Sequence, residues 1–210
     1  MKRLIAASLL AAPLFAFATP VNLVNNGSFE STVVGNGSYT IVNSVVGWTV
    51  GPHGLELRNN IAGSAFNGSN FAELDTTTNS WISQTLNTVA GASYTLSFAY
   101  TNRPDNQGAV SNGLSWQIGD LSGKVGNDTV TSWQTFSTTF TGTGSPMTLR
   151  FGSTGRSDSY GTSLDNVVVS TLSAGGNASA VPEPHSLALM LAGLGAMGFV
   201  ARRRKGGGRA

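Results

Sequence analysis

The chain has 210 residues, no cysteine and a formal net charge of +2, which excludes a disulfide-stapled fold and thiolate metal sites. Seven of its twelve cations (Lys2, Arg3, Arg202, Arg203, Arg204, Lys205 and Arg209) lie at the termini, so residues 19–180 keep five cations against nine acids, a balance of −4. Binding to nucleic acid needs a basic stripe to neutralise phosphates, and this acidic interior excludes it.

In chain order, Lys2-Arg3 is followed by an apolar run to Phe17 and by Ala16-Phe17-Ala18. Basic, apolar and small-residue regions in that order predict a secretory signal peptide over residues 1–18, cleaved after Ala18. Residues 19–172 form the next unit, long enough to bury a core without a covalent staple. Apolar residues alternate at period two over 81–86 and on to Val89, then over 93–100, 114–118, 133–140, 147–151 and 163–169. Alternation rich in Thr, Val, Tyr, Phe and Trp predicts half-buried strands. Gly, Asn, Asp and Ser cluster between them at 103–113, 119–126 and 152–161, where tolerance of positive φ predicts turns. No stretch keeps helical periodicity for three turns. The fold class expected is all-β, an antiparallel two-sheet β-sandwich.

Residues 173–180 read as a flexible Ser/Gly/Ala linker. Pro182-Glu183-Pro184 follows, then an uncharged apolar stretch over 186–201 and the basic cluster 202–205. The stretch is just short of the usual spanning length, and the stem of Arg202 extends it. The cations beyond it predict a transmembrane helix with its C-terminal end in the cytoplasm.

Pro182, Glu183 and Pro184, the apolar stretch, and Arg202, Arg203 and Arg204 at residues 181–210 resemble a PEP-CTERM sorting tail. The resemblance implies an exosortase-type membrane protease as partner, transient residence in the inner membrane, and delivery to the cell surface or extracellular matrix. The opening Asn22-Leu23-Val24-Asn25-Asn26-Gly27-Ser28-Phe29-Glu30 and the closing Leu164-Asp165-Asn166-Val167 resemble the galactose-binding-like jelly roll, which includes DUF642-type domains. Gly47-Trp48, Ala72-Glu73-Leu74-Asp75, 82–86 and 94–98 fit the DUF642 pattern over residues 22–170. The absence of cysteine departs from plant members of that type, which carry disulfides. The likeness implies a structural calcium ion held by Glu30 and Asp165, which suits a hard cation that takes oxygen ligands.

A sugar site needs an aromatic platform and a few polar groups for the hydroxyls. Trp48, His53, Glu56 and Arg58 are read here as loop residues, and the candidates for ligand contact are Trp81, Tyr100, Arg103, Asp105, Asn112 and Trp116. Catalytic constellations are weak. His53 is the one histidine in residues 19–180, and no Gly-x-Ser-x-Gly elbow occurs. Gly119 to Lys124 is one residue short of a phosphate loop and reads as a turn. Glu73-x-Asp75 opens like a laminarinase motif, but Thr77 and Thr78 stand where its second glutamate would be. The function expected is non-catalytic polysaccharide binding in the extracellular matrix. The alternatives are a structural matrix protein without a specific ligand, or a glycoside hydrolase.

Overall fold

A computed structural model describes residues 21–105 and 108–171. The signal peptide, linker, sorting tail and transmembrane helix expected from the sequence lie outside the described residues. Those described form eleven strands and no helix. The strands are β1 (Ser38–Val42), β2 (Thr49–Val50), β3 (Leu55–Asn59), β4 (Phe71–Glu73), β5 (Trp81–Asn87), β6 (Ser93–Asn102), β7 (Leu114–Ile118), β8 (Leu121–Val125), β9 (Gln134–Thr141), β10 (Pro146–Ser153) and β11 (Thr162–Thr171). They build two sheets, in the orders β1-β3-β4-β11-β6-β9 and β2-β5-β10-β7-β8. Every pairing is antiparallel. The all-β, antiparallel two-sheet sandwich expected from the alternation is the fold observed.

Period two explains the core. Along β6 the side chains of Tyr94, Leu96 and Phe98 turn inward, and Leu114, Trp116 and Ile118 of β7 do the same from the other sheet. Phe98 meets Phe151 of β10 edge to face, with ring centroids 5.0 Å apart, so aromatic rings bridge the two sheets. Each fully buried side chain of this size contributes about 1.5–3 kcal/mol. No cross-link is required to hold such a core.

Two features adjust the expected pattern. Residues 119–126 are not all turn: Gly119 and Asp120 form the hairpin turn, and Leu121–Val125 continues as edge strand β8. An edge strand with one neighbour is mostly exposed, so it lacks the apolar alternation that reveals a central strand. In β11 the register shifts between Asp165 and Val168, with Asn166 at φ 49°. This bulge frees the Val167 N–H to donate to Gly27 O at 2.9 Å, tying the start of the domain to its last strand.

A cleft on the outward face of the six-stranded sheet

Cross-strand register assembles this site. Tyr39 of β1 stands opposite Arg58 of β3, Ile41 opposite Glu56, and Glu56 opposite Glu73 of β4. Glu73 in turn stands opposite Ser163 of β11. Directly paired residues share a face, and Leu55, Leu57, Ala72 and Leu164 at the intervening positions fill the core. The row from Tyr39 to Glu73 is therefore on the outward side. Glu56 and Arg58, read from sequence as loop residues, belong to β3.

Arg58 anchors the floor and is only 1% exposed. Its Nε donates to Glu56 Oε1 at 2.6 Å, and its Nη1 forms an ion pair with Glu73 Oε2. Its Nη2 is buried without a hydrogen-bond partner. Glu73 Oε1 accepts the Gly161 N–H at 3.0 Å. Burial pushes the Glu73 carboxyl up to about 8, against the pull of Arg58 and Arg103. Asp75, the other acid of that segment, accepts N–H groups from Asp158 and Ser159 at 3.0 and 3.1 Å. Burial raises its carboxyl as well. Both acids thus secure the 158–161 loop beside the cleft.

Arg103 forms the opposite wall. It donates twice to Asp105, at 2.8 Å each, and once to Ser159 O at 3.0 Å. Its guanidinium lies 4.6 Å from the centre of the Tyr160 ring. The hydrogen bonds from Arg103 hold the Asp105 carboxyl below its ordinary range. Together Tyr39, Ile41, Glu56, Arg58, Arg103 and Tyr160 line most of a cleft of about 310 Å³. Tyr39 is 54% and Ile41 43% exposed, so the rim offers apolar surface to solvent. The accessible Arg103–Asp105 pair, beside an exposed aromatic, suits a ligand with hydroxyls, while the buried Arg58 and Glu56 hold the floor in place. A hydroxyl accepts from the cation and donates to its acid.

Of the six expected contact residues, only Arg103 lines this cleft, and Asp105 joins it through its hydrogen bonds to Arg103. Trp81 lies on the other sheet, beneath the guanidinium of Arg150. Tyr100 is half-buried against the core, its ring 6.3 Å from Phe98. Trp116 is 8% exposed and packs 4.8 Å from the Phe136 ring. Asn112 is buried and donates to Asp128 O at 2.6 Å. Tyr39, Ile41 and Tyr160 were not singled out from the sequence. Only the alternation of Tyr39 and Ile41 in Ser-Tyr-Thr-Ile-Val hinted at a strand with an apolar side.

Glu30 and Asp165 converge on a different loop. Asp165 Oδ2 accepts the N–H groups of Phe66 and Asn67, both at 2.8 Å, and Oδ1 that of Asn166 at 2.6 Å. Glu30 Oε1 accepts from Ser69 at 2.8 Å and Asn70 at 2.7 Å. Burial pushes Asp165 up to about 6, and the charge of Glu30 adds to the rise. No cationic side chain is ion-paired with either acid among the described residues. Nor do three or more His, Cys, Asp or Glu residues cluster anywhere within them. Glu30 and Asp165 are thus two acids without a counter-cation, the oxygen donors that the expected calcium ion would draw on.

Two families match by sequence. The family described as "Protein of unknown function (DUF642)" matches residues 22–170, and the PEP-CTERM protein-sorting motif matches residues 180–205. No curated protein sequence is significantly similar. Among solved structures, the enzymatically active domain of a bacteriophage CBA120 tailspike protein is similar at TM-score 0.49 and 15% identity, over 72% of this chain and 21% of that one. The module TmCBM61, solved with β-1,4-galactotriose, is similar at TM-score 0.46 and 17% identity, over 70% and 97% of the two chains. A family 35 carbohydrate-binding module from Clostridium thermocellum is similar at TM-score 0.42 and 18% identity, over 72% and 98%.

Proposed function

We propose, for a chain that belongs to the DUF642 family and carries a PEP-CTERM protein-sorting motif, a role as an exported, non-catalytic polysaccharide-binding protein. An exosortase-type membrane protease would act at Pro182-Glu183-Pro184, with Arg202, Arg203 and Arg204 holding the tail at the inner membrane until then. The processed protein would reside at the cell surface or in the extracellular matrix. The observation that carries the binding reading is the cleft over Arg58 and Arg103, whose charges are paired and whose rim is apolar. Paired charges favour a neutral glycan, because an anion would meet Glu56 and Asp105 beside each guanidinium.

Hydrolysis is the second reading, favoured by one observation: Glu56 and Glu73 are directly opposed across β3 and β4, and Glu73 holds its proton to high pH. Retaining glycosidases use two carboxyls about 5–5.5 Å apart, one of them an acid of raised pKa. Here, however, Glu73 is 0% exposed, with one oxygen on the Gly161 N–H and the other on Arg58. A proton donor sealed in this way does not reach a glycosidic oxygen.

Calcium belongs to the proposal as a structural ion. Glu30 and Asp165 would supply its anionic ligands, and bound there the ion would neutralise their repulsion.

The test is affinity electrophoresis of the full-length chain, purified in detergent, through gels carrying neutral galactans, glucans or xylans. Retardation by at least one is expected, weakened about tenfold or more by Arg103→Ala or Tyr39→Ala. No new reducing ends should appear on prolonged incubation. A folded protein retarded by none of them would leave a structural matrix role, and reducing-end release abolished by Glu73→Gln would establish the hydrolase.

A further inference from the structure

Charge in this domain segregates by sheet. The strands of the six-stranded sheet carry Glu56, Glu73 and Asp165 against Arg58. The strands of the five-stranded sheet, β2, β5, β10, β7 and β8, contain no Asp or Glu, and they carry Arg150 and Lys124. Both cations point outward, since Leu149 and Phe151 on either side of Arg150 fill the core and Lys124 is exposed. Neither is ion-paired among the described residues. In a domain whose balance is −4, two unneutralised cations on one acid-free face form a distinct electrostatic surface.

The face is also shaped. Arg150 pairs in register with Gln117 of β7 on one side and Ser83 of β5 on the other, and Lys124 pairs with Ser115. A shallow hollow of about 250 Å³ lies between the two cations, lined by Ser115, Gln117 and Ser122. The Arg150 guanidinium sits 4.0 Å from the centre of the Trp81 ring. Stacking on the indole holds the planar group in place and leaves its in-plane N–H donors free for a ligand. That fork matches a carboxylate bidentately, while a lysine ammonium acts as a point charge. Strands β10 and β8 are two strand spacings apart, about 10 Å, so the cations reach separate anionic groups of a polymer. The nearest acids along the chain are Asp120, in the β7–β8 turn, and Asp128, beyond β8, neither on a strand of this face.

We propose that this outward face, built on Trp81, Arg150 and Lys124, is a second glycan-binding surface that takes an acidic, carboxylate-bearing polysaccharide. It is independent of the cleft on the other sheet, whose ion-paired floor suits neutral sugars. A protein with both would join two chemically different chains of a matrix from its opposite faces. Trp81, expected from sequence to contact a sugar itself, acts here by positioning Arg150.

The experiment measures binding of the full-length chain in detergent to sodium polygalacturonate and, in parallel, to a neutral galactan. Polygalacturonate binding is expected at low salt and should weaken steeply as salt rises, because exposed charges are screened beyond about 8 Å at physiological ionic strength. Arg150→Ala and Lys124→Ala should each weaken it about five- to tenfold, and the double variant should abolish it. Arg103→Ala and Tyr39→Ala should leave it unchanged, so a failure of the cleft reading shows in the galactan arm alone. Unchanged unfolding midpoints establish that the variants are folded. Polygalacturonate binding that is absent, or that survives the double variant, overturns the proposal. So does Arg150-dependent capture by phosphatidylglycerol vesicles that outcompetes the polymer, since the face would then serve a lipid surface.

Discussion

Arg58 shows how one side chain is committed by its neighbours. Its guanidinium is buried with Glu56 and Glu73, and one nitrogen, Nη2, has neither a hydrogen bond nor an ion pair. Breaking a buried ion pair from one side leaves an uncompensated group, so Arg58→Ala should cost about 3–5 kcal/mol in urea unfolding. A loss below about 1 kcal/mol would mean that the pair is open to solvent. Glu73 adds a pH dependence whose direction follows from linkage. Its carboxyl titrates near 8 in the folded protein against 4.5 ordinarily, so the native state keeps a proton that the unfolded chain releases. This contribution to stability is intact below about pH 4.5, falls as pH rises toward 8 and is constant beyond. Unfolding midpoints of the wild type should therefore fall across that window more steeply than those of Glu73→Gln. Parallel profiles would refute the assignment.

At the scale of the element, the link between the opening segment and β11 depends on space more than on conformation. A Cβ added at Gly27 would stand 2.0 Å from Val167 O and 3.0 Å from its carbonyl carbon, both backbone atoms that have no rotamer with which to yield. Gly27→Ala should therefore cost about 1–3 kcal/mol by forcing that segment off the bulge. At Gly91, where φ is +75° and nothing lies within 4 Å, alanine should cost no more than about 1 kcal/mol. Equal thermal shifts for the two variants would contradict a packing origin. The same contrast between local and long-range determinants governs what the sequence reveals. Strands β5, β6, β7, β9, β10 and β11 were legible because apolar residues alternate along them. Strand β3 alternates too, as Leu55-Glu56-Leu57-Arg58, but its charged residues read as part of a loop because the neighbours that bury them come from β1, β4 and two loops. The three-residue β4 and the edge strand β8 give no periodic pattern of their own. In the site, Arg103 and Asp105 stood out as a local cation–acid pair. Tyr39 and Tyr160 join them only through register and loop closure, which no short window contains.

At the scale of the whole molecule, the absence of cysteine leaves the chain ends to be joined by other means. Glu30 precedes β1, Asp165 lies in β11, and residues 66–70 link β3 to β4, so one small region gathers the opening, middle and closing segments. Backbone N–H groups already supply hydrogen bonds there, while desolvation, with a smaller contribution from the charge of Glu30, holds Asp165 above its ordinary range. A divalent ion would offset both in the folded state alone, because the unfolded chain does not bring these acids together. An ion present at a hundred times its dissociation constant stabilises by about 2.7 kcal/mol, which for a domain of this size corresponds to roughly 5–10 °C. Calcium should thus raise the unfolding midpoint by several degrees and a chelator should reverse the rise. Asp165→Asn should abolish the response while preserving an oxygen acceptor for the loop, and Asp105→Asn should retain it. A midpoint indifferent to calcium and chelator would mean that five backbone hydrogen bonds suffice to close the domain, with Glu30 and Asp165 acting as loop anchors only.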